Sequence, residues 1–237
     1  MTQFGLLSKL DILQTILSII ISKINPAIFH NIGKYLAIKK AFYLSSIEEI
    51  EGDYFEFGVF TGSSFCHAVR CAKANERFDD KLKEMHFFGF DSFEGFGKLP
   101  ESDQHRFYTD INFATNYEKV CSRVKKVVDE SRFTLKKGYF EETLIGNSCR
   151  KSRIIFIDCD TQSSVNLALN HLNSSFQEGT ILILDDYYSY KGSEEKGVAG
   201  AVSVFCSKNN IEMRRISSYG MGGVIMIICK LNNSRRN

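Results

Sequence analysis

Residues 54–65 of the chain read YFEFGVFTGSSF. The first six residues form a short apolar run, and glycines at positions 58 and 62 then precede a helical pattern over residues 63–77. A buried strand that passes through a glycine turn into a helix is typical of the first unit of a parallel α/β sheet. This stretch therefore predicts the first strand, the first loop and the first crossover helix of the domain.

The same alternation of apolar runs with helical patterns continues from here almost to the end of the chain. Further strand candidates lie at 86–91, 132–137, 153–158 and 180–186, with closing strands at 211–216 and 223–230. Helical patterns occupy the intervals 116–129, 163–175 and 194–208. The pattern predicts an α/β, Rossmann-like fold with a mostly parallel sheet of about seven strands between helical layers. Ligands of such sheets bind beyond the carboxyl ends of the strands.

Two helical patterns, over residues 6–24 and 34–48, precede this alternation. Leucine and isoleucine recur at three- and four-residue steps in the first, which should end before Pro26. Polar residues interrupt it too often for a transmembrane span, and it lacks the cleavage site of a secretory signal. We divide the chain into an amino-terminal helical extension, residues 1–48, and a main domain, residues 49–237. The extension is expected to pack on the domain or on a second copy in a homodimer, with a substrate lid or membrane-surface contact as the less favoured alternative.

The composition excludes several classes of protein. Thirty Lys and Arg against 28 Asp and Glu leave a net charge of +2, too balanced for the basic surface of a nucleic-acid-binding protein. Fractions of 43% hydrophobic and 24% charged residues are those of a globular domain. The seven cysteines show neither a CxxC pair nor zinc-ligand spacing. They predict reduced core thiols in a cytoplasmic protein.

The loop after the first strand suits a ligand with an amino-acid end and a nucleoside end, such as S-adenosylmethionine. Phe60 stands at the middle glycine of the GxGxxG motif, which disfavours close approach of a dinucleotide pyrophosphate. Glu56 could face the ligand's ammonium group, or the loop is a plain turn whose glycines serve the backbone. Asp91, at the end of the second strand, is placed to accept hydrogen bonds from both ribose hydroxyls, or else caps a turn.

Acidic residues also follow the fourth and fifth strand candidates. Asp158 ends one, and Asp185 and Asp186 end the other. On adjacent parallel strands these carboxylates should lie within a few ångströms of one another, where their repulsion favours a bound cation. Carboxylate oxygens select Mg²⁺, Mn²⁺ or Ca²⁺. We predict a divalent-metal site, the alternative being three separate caps and surface groups.

Ordered motifs over about residues 45–229 resemble the macrocin O-methyltransferase family of S-adenosylmethionine-dependent methyltransferases. The motifs are E-F-G-V-F-T-G-S-S (56–64), F-D-S-F-E-G-F (90–96), K-G-Y-F-E-E-T-L (137–144), I-D-C-D (157–160), G-T-I-L-I-L-D-D-Y (179–187) and G-A-V-S-V-F (200–205). The resemblance implies a class I methyltransferase fold. It also implies metal-dependent O-methylation of a hydroxyl on a sugar, a glycosylated small molecule or a polysaccharide.

The resemblance assigns roles to particular residues as well. The S-adenosylmethionine site would comprise Glu56, Gly58, Gly62, Ser63, Asp91, Ser92, Gly138, Tyr139, Phe140 and Asp158. The metal, Mg²⁺ or else Mn²⁺ or Ca²⁺, would be held by Asp158, Asp185 and Asp186, and Asp158 is the predicted catalytic base. Gln162 stands where the family has an aromatic residue, so contacts with the acceptor are expected to differ.

Two other functions are compatible with the same sheet. One is a non-catalytic binding or scaffold protein that uses its amino-terminal helix, but such a protein has no need to retain three mutually repelling aspartates. The other is a nicotinamide-dependent oxidoreductase, which Phe60 in the first loop disfavours.

Overall fold

The computed structural model describes residues 10–108 and 113–231. Within these residues the strands are β1 (Asp53–Phe57), β2 (Phe87–Asp91), β3 (Phe133–Lys137), β4 (Ser152–Ile157), β5 (Ile181–Leu184), β6 (Ile211–Tyr219) and β7 (Gly223–Leu231). They form one sheet in the order β3-β2-β1-β4-β5-β7-β6. Strands β1 to β5 are parallel to one another, and β7 runs antiparallel to both β5 and β6. The predicted, mostly parallel seven-stranded sheet is confirmed.

Helices cover both faces of this sheet. The helices of the described residues are α1 (Asp11–Lys23), α2 (Pro26–Ile47), α3 (Ser63–Asn75), α4 (Tyr117–Val124), α5 (Phe140–Thr143), α6 (Gln162–His171), α7 (Ser189–Gly192) and α8 (Gly197–Asn209). One apolar core joins the sheet to α2, α3 and α4, and a second joins the opposite face to α6 and α8. The sheet therefore lies between two helical layers, as the sequence predicts.

The central strands are buried along both faces. Every residue of β1, β4 and β5 is buried, which explains why these strands appear in the sequence as continuous apolar runs rather than alternating patterns. Because β1, β2, β4 and β5 are parallel, their carboxyl ends lie at the same edge of the sheet. The loops that follow these strands form the candidate site.

Helix α2 is longer than the sequence pattern predicts. It begins at Pro26 rather than at residue 34. The side chain of Asn25 caps it by accepting a hydrogen bond from the Ala27 amide at 2.8 Å, and proline is favoured in a first helical turn because it has no amide hydrogen to leave unpaired. The residues that the sequence pattern leaves out, 26–33, include four that line the cleft described below.

Helix α1 leaves the domain instead of packing on it. All thirteen of its residues are exposed, and its axis makes an angle of 90° with that of α2. Packing of the extension on the domain is therefore wrong for α1, and packing on a second copy stays a prediction; residues 6–9 of the predicted helix lie outside the described residues. In the described part of the chain no single helix is long and apolar enough to cross a membrane. The bent pair α1 and α2, taken together, has the length and composition that a membrane span requires.

The cysteines are only partly core residues. All seven are free thiols. Cys66, Cys71 and Cys159 are buried, whereas Cys149 and Cys229 are exposed. The prediction of unpaired cysteines is confirmed, and their placement in the core holds for three of the seven.

Candidate functional site

A cleft of about 1350 Å³ lies beyond the carboxyl ends of the parallel strands. The loops after β1, β2, β4 and β5 line it, and the start of α2 forms another wall. Sites for a single small molecule are typically about 300–1000 Å³. The cleft therefore has room for a second ligand beside a first.

The loop after β1 touches the end of β4 through Gly58. An added Cβ at this residue would lie 1.9 Å from the carbonyl oxygen of Asp158, and its φ of 90° is one that residues with side chains rarely adopt. Gly58 is therefore required by the backbone itself. It lines the cleft and lets the two loops form a continuous floor.

Asp91 holds the same loop in place. Its Oδ2 accepts hydrogen bonds from the amides of Val59 and Phe60, both at 2.7 Å, and its Oδ1 accepts one from the amide of Phe93 at 2.5 Å. Burial raises the pKa of the Asp91 carboxyl group, against the effect of these three bonds. A carboxylate offers about four acceptor positions. Three of these positions are occupied by backbone amides. Asp91, which lines the cleft, therefore has about one acceptor position left for a ligand hydroxyl and not two.

Glu56 is fully buried and is not among the residues that line the cleft. It accepts hydrogen bonds from the hydroxyls of Tyr54, at 2.5 Å, and Ser64, at 2.6 Å. Burial raises its pKa to about 7, although both hydrogen bonds oppose the shift. The structure thus brings Glu56 against two hydroxyls beneath the loop, not against the space where a ligand would lie.

The other residues predicted to bind the cofactor fall into two groups. Those that line the cleft are Ser92, Tyr139, Phe140 and Asp158, and those outside the lining are Gly62, Ser63 and Gly138. Gly62 begins α3 in the left-handed conformation, with a φ of 74°. Gly62 is therefore required by the backbone conformation of the turn and not by contact with a ligand, which is the alternative that the sequence leaves open for this loop.

Three carboxylates meet at one side of the cleft. Asp158, Asp160 and Asp186 each offer an oxygen, and these oxygens lie within 4.8 Å of one another. Asp160 and Asp186 have φ values of 62° and 50°, a strained conformation for residues other than glycine that is common at functional sites. Burial, with the neighbouring carboxylates, raises the pKa of Asp158 and Asp160. A partly buried set of hard oxygens with excess negative charge fits a divalent cation.

Asp185 is not a member of this group. Its Oδ2 lies 2.7 Å from Lys34 Nζ and 3.0 Å from His30 Nε2, and its Oδ1 accepts a hydrogen bond from the Tyr219 hydroxyl at 3.0 Å. Burial would raise the pKa of Asp185, but the bond from His30 and the charge of Lys34 hold it below its usual value. Of the predicted ligands, Asp158 and Asp186 belong to the group that includes Asp160. Asp185 lies beside Asp158 and shares Lys34 with it.

Two basic side chains that contact these aspartates, His30 and Lys34, were not predicted from the sequence. Lys34 Nζ lies 2.7 Å from both Asp158 and Asp185; burial would lower its pKa, and the two carboxylates raise it. The Met221 amide donates to His30 Nδ1 at 3.1 Å, so that Nε2 carries the hydrogen directed at Asp185. The sequence does contain one indication of these contacts. His30, Lys34 and buried Ile38 follow one another at four-residue steps, which places them on one face of a helix.

Aromatic side chains line the cleft beside the acids. His105, Phe107, Tyr108 and Tyr188 line the cleft, and the rings of His105 and Tyr108 lie 4.7 Å apart. Gln162 is turned away: its amide donates to the Glu195 carbonyl at 3.3 Å, and it is not a lining residue. The acceptor side of the cleft is therefore aromatic even without an aromatic residue at position 162.

The sequence profile of one family matches the chain over residues 36–221. This family is described as macrocin-O-methyltransferase (TylF). The matched range includes every predicted cofactor and metal residue, from Glu56 to Asp186, and begins just after Lys34. No curated protein sequence matches the chain.

Solved O-methyltransferases share the fold. The O-methyltransferase NovP is 19% identical, with a TM-score of 0.65 over 84% of this chain and 81% of its own. CalS11, described as a TDP-rhamnose 3'-O-methyltransferase of calicheamicin biosynthesis, is 18% identical, with a TM-score of 0.56 over 84% and 80%. An O-methyltransferase from Bacillus cereus, solved in complex with SAH, is 14% identical, with a TM-score of 0.52 over 81% and 80%. At these identities the likeness establishes the class I methyltransferase fold.

Proposed function

Because the chain belongs to the macrocin-O-methyltransferase family and is an S-adenosylmethionine-dependent O-methyltransferase, we propose that it methylates a sugar hydroxyl with the help of a divalent cation. The observation that carries this proposal is the group formed by Asp158, Asp160 and Asp186. The cation is assigned to these three carboxylates. Asp185 bonds to Lys34, His30 and Tyr219 and stabilises the group through Lys34, which also contacts Asp158.

The cofactor is assigned to the part of the cleft nearest β1 and β2. Gly58 leaves the loop open to the methionine portion, and Asp91 has about one acceptor position left for a ribose hydroxyl. Tyr139 and Phe140 line the cleft where the adenine ring would lie. Glu56 acts through Ser64 and the loop rather than by direct contact.

The transfer needs a methyl donor, an aligned hydroxyl and a proton acceptor. S-adenosylmethionine would supply the methyl group, and a divalent cation held by Asp158, Asp160 and Asp186 would lower the pKa of a nearby hydroxyl. Asp158 would take the hydroxyl proton as the methyl group passes from sulfur to oxygen. Lys34 holds the Asp158 side chain at 2.7 Å and so fixes its direction. Alignment of the reacting groups is the main contribution of the chain.

A sugar acceptor is supported by the aromatic residues of the cleft and by one similar structure. The aromatic rings at Phe107, Tyr108 and Tyr188 offer flat apolar faces beside polar groups, which suits a pyranose ring. CalS11 is described as acting on TDP-rhamnose. TDP-rhamnose is therefore the first acceptor to test.

Asp160→Asn tests the proposed ligand set. Loss of one charged ligand should weaken Mn²⁺ binding at least about tenfold, measured by electron paramagnetic resonance titration of the free ion. Methyl transfer from S-adenosylmethionine to TDP-rhamnose, followed by mass spectrometry, should fall in parallel.

Asp80→Asn is the matched control, because it makes the same change at an exposed carboxylate paired with Lys83. It should leave Mn²⁺ binding unchanged. Asp185→Asn distinguishes the two ligand sets: a larger loss of Mn²⁺ affinity in this variant than in Asp160→Asn would restore the set predicted from the sequence. Unaltered Mn²⁺ binding in both variants would remove the metal from the proposal.

A further inference from the structure

Helix α1 presents an apolar surface that residues 10–108 and 113–231 do not cover. Its large apolar residues, all exposed, are Ile12, Leu13, Ile16, Leu17, Ile19, Ile20 and Ile21. At about 100° per residue these positions sweep roughly 200° of the helix circumference. The remaining strip consists of Asp11, Gln14, Thr15, Ser18 and Ser22, and Lys23, the last residue of the helix, falls at an angle within the apolar face.

This apolar face is wider than a second helix would cover. A helix pair buries a seam of a and d positions and places charged residues beside it, where they select the partner. The flanks of the α1 face carry isoleucine instead of such charges, and its polar strip is uncharged between the helix ends. A broad, flat apolar phase covers such a surface more completely than one partner helix does.

The length and direction of α1 indicate that it lies along such a phase rather than crossing it. Thirteen residues extend for about 20 Å, less than the roughly 30 Å of a bilayer's hydrocarbon core. The 90° angle at residues 24–25 turns α1 away from α2, whose second half is fixed by buried Ile38 and Phe42. The domain anchors α2, and α1 extends sideways from it.

The apolar surface continues to the mouth of the cleft. Ile28, Phe29 and Ile32, in the first half of α2, are more than half exposed. The bend itself, Asn25 to Ala27, lines the cleft. On the other side of His30, Met221 lines it too and is 61% exposed, with its amide bonded to the imidazole.

We propose that α1 and the first half of α2 dock the protein on a lipid bilayer, with α1 lying in the interfacial layer and the cleft opening at the membrane surface. The docking depends on apolar insertion and not on anionic lipid, because Lys23, at the end of the helix, is the one basic residue of α1. It concerns the placement of the protein, and it stands whether or not the acceptor is a sugar.

The test is flotation of the full chain with vesicles of phosphatidylcholine alone and of phosphatidylcholine with phosphatidylglycerol in equal parts. The wild-type protein should float with both. Ile16→Glu with Ile20→Glu places two charges in the middle of the apolar face and should lower partitioning on the order of a hundredfold. Ser18→Glu with Ser22→Glu adds the same charge at the same spacing on the polar strip and should still float.

Light scattering without vesicles tests the alternative that a second copy of the chain covers α1. A monomeric wild-type protein that floats, with the isoleucine pair alone abolishing flotation, supports membrane docking. A wild-type dimer that does not float, and that the isoleucine pair converts to monomer, would show that a second copy covers α1. Equal loss in both glutamate pairs would also overturn the proposal, because apolar insertion requires the two faces to differ. Failure of methyl transfer leaves every one of these outcomes unchanged.

Discussion

The two ends of the parallel sheet each hold a buried cation, but they balance its charge differently. At the amino end Arg153 bonds to Asp79 at 2.6 Å and to the hydroxyls of Ser45 and Ser46, both at 2.9 Å. At the carboxyl end Lys34 contacts two carboxylates, while Asp160 and Asp186 have no ion pair with any described residue.

Helix α2 contributes to both clusters, so the difference does not come from the supporting element. Ser45 and Ser46 lie in its last turn, and Lys34 lies in its first half. One cation matches one carboxylate at the amino end, which leaves nothing for a ligand to neutralise. At the carboxyl end the carboxylates are in excess, so a further cation is favoured. Charge balance therefore distinguishes the structural cluster from the functional one.

Arg153→Met is the strongest way to break the balanced cluster. Asp79 would be left buried without its partner, which should lower the free energy of unfolding by about 3–5 kcal/mol, measured by urea denaturation. Adding Asp79→Asn to the variant should recover part of the loss, and added Mg²⁺ should recover none. A loss below about 1 kcal/mol would show that the amino-end pair is not the tight structural contact described.

Glu56→Gln extends the comparison to a buried carboxylate between the two ends of the sheet. The charge of this carboxylate is neutralised by a proton, whereas cationic side chains contact the carboxylates at the two ends. The pKa of Glu56 is raised by burial from 4.5 to about 7, so the folded state binds a proton more tightly than the unfolded state. The stability from that proton is present below about pH 4.5 and is lost as the pH rises through about 7, on the order of 3 kcal/mol in total.

Denaturation midpoints of the wild type should therefore fall between about pH 5 and pH 8, and those of Glu56→Gln should change less over the same range. Glu118→Gln, an exposed glutamate on α4, provides the control and should follow the wild type. Parallel pH curves for wild type and Glu56→Gln would contradict the raised pKa.

Lys34→Met breaks the unbalanced cluster, with a smaller expected cost. The free energy of unfolding should fall by about 2 kcal/mol without added metal, because Asp158 and Asp185 lose their shared cation. Unlike Arg153→Met, this variant should regain stability when Mg²⁺ is added, since a solvent cation can replace the ammonium. Thermal unfolding with and without Mg²⁺ measures both effects, and equal responses of the two variants would remove the distinction between the clusters.

The sheet and part of the site were predictable because they depend on local sequence. Strands buried on both faces appear as apolar runs, and the carboxyl ends of parallel strands must share an edge, which places Asp91, Asp158 and Asp186 together. Gly58 was found for the same reason, since a tight turn after a strand requires glycine.

The contacts of α2 with the site were not predictable in this way. His30 and Lys34 reach aspartates 155 and 124 residues further along the chain, and the helical pattern before residue 34 is too mixed to identify. The place of Asp160 in the acidic group was not predicted either. Asp160 and Asp186 both have a left-handed backbone, and although aspartate tolerates this conformation better than most residues, the sequence does not show which aspartates adopt it.

The reach of His30 has a consequence for how the protein is made. This side chain bonds to Asp185 and to the amide of Met221, which is synthesised 191 residues later. At about 5–20 residues per second, a ribosome takes roughly 10–40 s to join the two. During that interval the first half of α2 waits without its final partners, while most of the strands have already emerged. Completion of the contacts around Asp185 and His30 is therefore one of the last events of biosynthesis, and a chain released before Tyr219 would contain the central strands but not these contacts.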